Sequence, residues 1–154
     1  MEIVSERLLE RHQTELLGFP VVVLNGVYEA TFDDGTVGHS FIDAEGLQAA
    51  AAVARVQVPR RLTGREVAYL RKAMRISFSA VAKHLGVPQE QVFRWEASMQ
   101  PLDAWAEKAL RELVLSVLAE RAATIPFVAG DMPILGPVKS QPDAVTNDSP
   151  NNPL

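Results

Sequence analysis

The sequence predicts an α+β fold: a small N-terminal three-stranded β-meander plus helix, then an all-α domain with a long C-terminal helix, then a disordered tail. Two β-branched runs flank an Asn25-Gly26 pair, and they predict strands. Apolar residues at helical spacing predict the helices that follow. Six of the ten prolines lie beyond residue 123, which predicts that most of this range is a disordered tail, and its apolar patches 125–128 and 132–135 are candidates for docking onto the body or a partner. The predicted domain bounds are 1–58, 59–122 and 123–154.

Composition limits the class of protein. The chain has 154 residues, 47% of them hydrophobic, so it suits one ordinary domain or one small domain with an appended module. It has no cysteine, which excludes a disulfide framework and thiolate zinc sites. Its start lacks the basic segment and apolar run of a secretory signal, and no apolar stretch approaches the ~20 residues that cross a bilayer. We therefore expect a cytoplasmic protein.

The N-terminal module opens with a predicted helix and a predicted hairpin. Leucines spaced among the charges of residues 2–17 predict a short helix. The runs 20–24 and 27–32 predict two strands of a hairpin. Asn25-Gly26 lies between them, and both residues tolerate the positive φ of a type I′ turn.

The rest of this module is predicted to complete the meander and to cover it. Asp33-Asp34-Gly35 predicts a second turn, and residues 37–42 predict a third strand. Residues 43–56 predict a helix, because Asp43 can cap it and its alanine run favours helix. Residues 58–62 then form a connector to the helical section.

Three short helices are predicted after this connector. Thr63 with Glu66 is a capping box that starts the first helix. Ser77 is a good N-cap for the second helix, and Gly86 ends it because the residue after a helix often has positive φ. The third helix starts at about Pro88. Helical spacing predicts that these residues face the core: Val67, Leu70, Ala73, Met74, Val81, Ala82, Leu85, Val92 and Trp95.

The second and third helices form a corner that is typical of a helix-turn-helix. The small Ala82 lets the helices approach, Gly86 turns the chain, and Val92 packs in the angle. The segment from Thr63 to Ser98 therefore predicts binding of double-stranded DNA.

Charge is unevenly distributed in a chain whose net charge is −4. Residues 60–98 carry eight basic and three acidic side chains, whereas both flanks are acidic. A basic island between acidic flanks is typical of a DNA-binding face, and it also occurs as plain solvated surface.

These helices resemble the Cro/repressor-type (XRE) family of helix-turn-helix regulators. The resemblance is carried by Leu70-Arg71, Ile76-Ser77, Val81-Ala82, Leu85-Gly86-Val87 and Val92-x-Arg94-Trp95-Glu96. It implies an ion pair between Arg71 on the first helix and Glu96 at the end of the third. Such partly buried pairs fix geometry more than they add stability.

The upstream region resembles the small N-terminal module of MqsA/YgiT-type antitoxin-like regulators, over roughly residues 19–118. The matching residues are Leu24-Asn25-Gly26-x-Tyr28-Glu29-x-Thr31, Gly35, Gly38, Ile42-x-x-Glu45-Gly46-Leu47 and Leu62-Thr63-Gly64. Classical members bind zinc through cysteines in this module, and this chain has none. Because its three histidines, His12, His39 and His84, are widely separated in sequence, we expect no metal site and no cofactor.

The resemblance also implies that residues 88–97 are the recognition helix, which lies in the major groove, and it implies which side chains contact DNA. Gln89, Glu90 and Arg94 face the bases, with Gln91 nearby. Arg94 suits guanine O6 and N7, and Gln89 suits adenine N6 and N7. Phosphate contacts are expected from Ser77, Ser79, Lys83, Arg60 and Arg61.

Some of these side chains have two interpretations. Glu90 accepts from cytosine N4, or it repels phosphates and lowers non-specific affinity. Arg60 and Arg61 contact phosphate or form a solvated linker. Phe93 contacts a thymine methyl group or a second subunit, and Trp95 packs in a core or an interface.

The last helix, residues 103–121, carries a long apolar stripe, which is formed by Ala106, Leu110, Leu113, Val114, Val117 and Leu118. Part of it packs against a second copy, which predicts a homodimer on a near-palindromic site, or it simply closes the core. No nucleophile–base arrangement, P-loop or dinucleotide fingerprint is present, so we expect no enzyme.

Taken together, these patterns predict a sequence-specific transcriptional regulator, a repressor or an antitoxin-like protein, with a toxin as a further candidate partner. The alternative is a protein-interaction module that uses a degenerate, non-DNA-binding helix-turn-helix as a scaffold.

Overall fold

The computed structural model describes residues 1–16, 18–122, 127–129 and 132–136. It is an α+β fold with a mixed five-stranded sheet and five helices. The predicted three-stranded meander is wrong in both its strand number and its pairing. In chain order the elements are β1 (Ile3–Leu16), β2 (Phe19–Phe32), β3 (Val37–Phe41), α1 (Ala44–Arg55), α2 (Gly64–Met74), α3 (Phe78–Leu85), α4 (Gln89–Glu96), α5 (Ala104–Leu118), β4 (Phe127–Ala129) and β5 (Met132–Leu135).

The segment predicted as an N-terminal helix is strand β1. It has 14 residues, pairs antiparallel with β2 along nearly its whole length, and is mostly exposed. The spacing of its leucines predicts a helix, but here the segment is an edge strand with exposed charged side chains. Charges at a sheet edge oppose further strand pairing. The prediction was wrong because pairing with the apolar strand β2 outweighs local propensity.

The Asn25-Gly26 pair is a β-bulge and not the predicted hairpin turn. Strand β2 runs through it, and the pairing register shifts between Leu9 and Arg11 of β1. Asn25 does have a positive φ of 53°, as the turn motif requires. An extra residue on one strand is the usual cause of such a shift. The chain instead reverses at Gly18, whose φ is 80°.

The other predictions for this module agree with the structure. Strand β3 pairs antiparallel with the second half of β2. In the turn before it, the Asp34 carboxylate accepts a hydrogen bond from the Thr36 amide at 3.0 Å. Asp43 caps α1 by accepting from the Gly46 amide, also at 3.0 Å. The alanine-rich α1 is buried along most of its length, because small side chains let the sheet and the helices approach from different sides.

The predicted tail contributes to the sheet. Strands β4 and β5 pair antiparallel, and β5 pairs parallel with Val22 and Val23 of β2. Leu135 is fully buried in the core. Disorder was therefore the wrong prediction for these two strands, whereas docking of the 132–135 patch onto the body agrees with the structure. Apart from Gly136, the remaining residues of the range 123–154 lie outside the described residues.

The three short helices have the predicted caps, whereas α5 ends at Leu118 and not at residue 121. Both hydrogen bonds of the Thr63–Glu66 capping box are present. Ser77 caps α3, and Gly86 follows it with a left-handed φ of 72°. Pro88 is the N-cap of α4.

One continuous hydrophobic core joins the sheet and all five helices. The stripe on α5 lies inside it, with Leu110, Val114 and Leu118 almost fully buried. The stripe therefore closes the core of a single chain and gives no support to a dimer. The exposed large hydrophobic side chains of α5 are Trp105 and Leu115.

A buried ion pair joins α1 to α2. The Arg55 side chain is 2% exposed, and its Nε and Nη2 each donate to the Glu66 carboxylate at 2.8 Å. Its remaining hydrogens reach the carbonyls of Val58, Arg60 and Arg61 in the connector. Burial raises the pKa of Glu66, but the hydrogen bonds from Arg55 and the Thr63 amide outweigh it and hold that pKa below its usual range.

A second cluster ties the same connector to α5. Arg111 donates to the Glu107 carboxylate at 2.7 Å and to the carbonyls of Val56 and Val58. Burial raises the pKa of Glu107, and the hydrogen bonds from Arg111 and Arg61 lower it by more. The connector is thus fixed between α2 and α5 by charge-assisted bonds.

Among the described residues, no helix combines the length and the apolar character that crossing a membrane would require.

Candidate nucleic-acid interface

The turn between α3 and α4 has the geometry of a helix-turn-helix corner. Gly86 adopts the left-handed conformation, and the Val87 amide donates to the Ala82 carbonyl at 3.0 Å. These bonds satisfy the free carbonyls at the end of α3. Ala82 and Val92 are both buried in the angle. The sequence prediction for this corner agrees with the structure.

The inner face of α4 is anchored by a tryptophan. Trp95 is 1% exposed and is the largest of the fully buried side chains. A Cβ on Gly64 would lie only 2.1 Å from the Trp95 carbonyl oxygen, so the start of α2 meets the end of α4 at a glycine. The Trp95 indole Nε1 is buried with no hydrogen-bond partner among the described residues.

An ion pair between α2 and α4 fixes the angle of α4. Arg71 donates to the Glu96 carboxylate at 2.5 and 3.2 Å, and to the Ile76 carbonyl at 3.1 Å. Both charged groups are largely buried. This is the pair that the XRE resemblance implies, and it holds α4 against the body of the domain.

The outer face of α4 is exposed and polar. At 100° per residue, Glu90 and Arg94 lie opposite the buried Val92, and Phe93 lies beside them. Gln89, Glu90, Phe93 and Arg94 are all exposed, whereas Gln91 is half-buried on the flank. Within the described part of the chain, the polar groups of Gln89, Glu90 and Arg94 make no hydrogen bond or ion pair. They are therefore free to contact a ligand.

The residues predicted on α3 lie at its two ends. The Ser77 hydroxyl accepts from the Ala80 amide at 3.1 Å and keeps its own proton for donation. Ser79 is exposed in the first turn, where free amides and the positive end of the helix dipole favour an anion. Lys83 is exposed in the last turn.

Arg60 and Arg61 lie elsewhere. Arg60 pairs with Glu66 at 3.5 Å, and Arg61 donates to Glu107 at 2.8 Å. Arg61 also donates to the Leu102 carbonyl at 2.5 Å. Arg60 therefore contacts the beginning of α2, and Arg61 contacts the beginning of α5. The structure does not bring either arginine together with α4.

The basic island (residues 60–98) carries less unpaired positive charge than its number of basic residues indicates. Of its eight cationic side chains, four form ion pairs with carboxylates, namely Arg60, Arg61, Arg71 and Arg75. Two of the acceptors, Glu45 and Glu107, lie outside the island in sequence, so a residue count could not show the neutralisation. Lys72, Lys83 and Arg94 have no such partner in the ranges that the structure describes.

Comparison of the chain with family models, with curated proteins and with solved structures gives no match. The antitoxin-like resemblance therefore rests on the motif residues alone.

An aromatic cleft borders the exposed face of α4. Phe78, Gln89, Glu90 and Phe93 line it, and its volume is about 480 Å³. The two aromatic rings lie 6.2 Å apart between centroids and are tilted by 59°. Sequence reasoning identified Phe93 as exposed but missed its pairing with Phe78, because the rings meet only across the α3–α4 corner.

A polar cluster on the sheet was also missed. His12 and His39 stack with centroids 4.6 Å apart, and Glu29 accepts from Arg7 at 2.9 Å and contacts His39 at 3.2 Å. Burial, followed by the nearby His39, lowers the pKa of His12. The histidines are distant in sequence, and only strand pairing brings them together. Across the described ranges, no cluster of three or more histidine, aspartate or glutamate side chains is arranged to hold a metal ion.

Proposed function

We propose that this chain is a sequence-specific double-stranded DNA-binding regulator, a repressor or an antitoxin-like protein, that places α4 in the major groove. The observation that carries the proposal is the outer face of α4. It presents Gln89, Glu90 and Arg94 with free polar groups on a helix that is held by buried contacts. Base readout requires such positioned and unengaged groups.

The base contacts follow from the chemistry of these side chains. The Arg94 guanidinium donates to guanine O6 and N7, and the Gln89 amide pairs with adenine N6 and N7. Glu90 accepts from cytosine N4. Gln91 lies on the flank of α4 and reaches the neighbouring DNA backbone.

The phosphate contacts come from α3. Its first amides, with Ser77 and Ser79, bind one phosphate, and Lys83 reaches another. Arg60 and Arg61 contribute little, because carboxylates already neutralise them. With few unpaired cations, we expect modest affinity and a shallow dependence on salt compared with strongly basic DNA-binding proteins.

The alternative is a protein-interaction module. The observation that favours it is the exposed aromatic pair, since Phe93 is 55% exposed beside Phe78. Exposed apolar groups of this kind also occur at protein–protein contacts. DNA binding and its dependence on Arg94 discriminate between the two functions.

Arg94→Ala is expected to weaken binding to a duplex selected from random DNA by about 10- to 100-fold, on the order of 1–3 kcal/mol. Its thermal unfolding midpoint stays unchanged, because Arg94 is exposed and unpartnered. Fluorescence anisotropy from about 50 to 200 mM salt measures both the affinity and its salt dependence.

Arg11→Ala on strand β1 is the matched control, because Arg11 is also exposed and the change removes the same charge. We expect it to alter affinity less than about twofold. Absence of salt-dependent binding by the wild type would contradict the proposal. So would an Arg94→Ala variant that binds as Arg11→Ala does, and a stable protein partner without DNA binding would favour the alternative.

A further inference from the structure

The aromatic cleft (Phe78, Gln89, Glu90 and Phe93) is unusual for a DNA-binding face, because an apolar wall meets a free carboxylate there. Glu90 and Phe93 are three residues apart on α4, so they lie side by side on one helix face. The Glu90 carboxylate has no hydrogen-bond partner among the residues that the structure describes. The cleft thus offers one acceptor next to one apolar surface.

The aromatic wall is held in place by the ion pair of α2 and α4. The Arg71 guanidinium carbon lies 4.2 Å from the centroid of the Phe78 ring, in a cation–π contact. Glu96 fixes the same guanidinium. Phe78 therefore cannot swing away easily, and the wall that it forms with Phe93 is preorganised.

A carboxylate accepts hydrogen bonds only, so the base edge that it meets must offer a donor. Among pyrimidines in the major groove, cytosine offers the N4 amino group, whereas thymine presents the acceptor O4 in that place. Adenine offers an amino group too, but beside it on the major-groove edge lies the acceptor N7. An aromatic wall would leave this acceptor unpaired.

The atom next to the amino-bearing carbon of cytosine is C5. In thymine this carbon carries a methyl group, and in unmodified cytosine it carries only hydrogen. In 5-methylcytosine the amino donor and the methyl group occupy neighbouring ring atoms. This base matches both halves of the cleft, whereas cytosine and thymine each match one.

We propose that the aromatic cleft recognises 5-methylcytosine, with Glu90 accepting from N4 and the Phe78–Phe93 wall covering the C5 methyl group. The protein then distinguishes methylated from unmethylated sites. This rests on the proposed function, since a base reaches the cleft only if α4 lies in the major groove.

The test starts from one pool of random duplexes, half of it copied with 5-methylcytosine in place of cytosine. The full chain selects from both halves. The best site is then synthesised with cytosine, 5-methylcytosine or thymine at the selected position, and anisotropy gives the three affinities. We expect 5-methylcytosine to bind about fourfold tighter than cytosine, the effect of burying one methyl group. We expect thymine to bind about tenfold more weakly than 5-methylcytosine.

Two variants assign the effect to the cleft. Phe93→Ala brings the ratio of 5-methylcytosine to cytosine affinity down to about one. Glu90→Gln reduces the discrimination against thymine, because an amide can also donate to O4. Both side chains are exposed, so both variants fold, and circular dichroism verifies this.

The outcomes separate this inference from the proposed function. Equal binding of cytosine and 5-methylcytosine duplexes overturns the inference and leaves DNA binding intact. A methyl preference that persists in Phe93→Ala also overturns it. A Phe93→Ala variant that binds all three duplexes as the wild type does would place the cleft off the DNA, where a protein could occupy it. If the chain selects no duplex from either half of the pool, both proposals are overturned.

Discussion

Glu66→Gln is expected to lower the free energy of unfolding by about 3–5 kcal/mol at neutral pH, because it leaves the Arg55 charge buried without its counter-charge. Arg55 is 2% exposed and has two 2.8 Å bonds to the carboxylate. Glutamine also serves at this position of a capping box, so the change removes the charge and retains the cap. Urea unfolding followed by circular dichroism measures the difference.

The difference should depend on pH in one direction. The pKa of Glu66 is lower in the folded chain than its ordinary value of 4.5, so its contribution to stability is fully present above about pH 4.5. It is lost as the pH falls towards the folded pKa and Glu66 is protonated. The difference between the wild type and Glu66→Gln should therefore narrow in acid, where both side chains are neutral.

Glu45→Gln is the matched control for this experiment. Glu45 also pairs with an arginine, Arg75, but both side chains are more than half exposed. Exposed pairs contribute little, so we expect no measurable loss of stability. Equal effects of Glu45→Gln and Glu66→Gln, or a Glu66→Gln effect that is the same at all pH values, would contradict the buried ion pair.

Trp95→Ala is expected to cost about 3–5 kcal/mol, because it opens a cavity at the centre of the helix-turn-helix. The side chain is 1% exposed and anchors the inner face of α4. DNA binding falls with the folded fraction. Circular dichroism is the suitable probe here, since the change removes one of the two tryptophans and so alters the fluorescence.

Trp95→Phe provides the comparison. It also loses packing volume, but it removes the buried Nε1 hydrogen that has no partner in the described structure. Relief of an unsatisfied buried donor is worth about 1–3 kcal/mol, so it offsets much of the lost packing. We expect a net cost of about 1 kcal/mol. A cost as large as that of Trp95→Ala would show that Nε1 has a hydrogen-bond partner in solution.

The features that could be predicted from the sequence are those set by neighbouring residues. The Thr63–Glu66 capping box, the Ser77 cap and the left-handed Gly86 depend on hydrogen bonds within one turn of helix. The outward placement of Arg94 follows from the helical repeat and from the buried Val92. Local chemistry therefore defined both the corner and its exposed face.

The errors concern pairing between distant segments. The leucine spacing of residues 2–17 predicts a helix, but pairing with β2 makes this segment a strand. Asn25-Gly26 has the backbone of a turn, and whether it ends a strand or bulges within one depends on β1. Strand β5 pairs with β2 and buries Leu135 in the core, and no local pattern in the sequence indicates this pairing.

Charge was misjudged for the same reason. Arg61 pairs with Glu107 and Arg75 with Glu45, and both acids lie outside the basic segment. The pairing of Phe78 with Phe93 likewise depends on the corner between two helices. Spacing in sequence predicts which face of a helix a side chain occupies, and it does not predict what meets that face.

The central claim, that α4 lies against base pairs, can be tested by directed DNA cleavage because the chain has no cysteine. A metal-chelate cleavage reagent is attached to Gln91→Cys on the flank of α4 or, as the matched control, to Gln13→Cys on β1. Our account predicts cuts on the selected duplex within a few base pairs of the Arg94 contact from position 91, and background cutting from position 13. Equal cutting from both positions, or none from position 91 while binding persists, would contradict it.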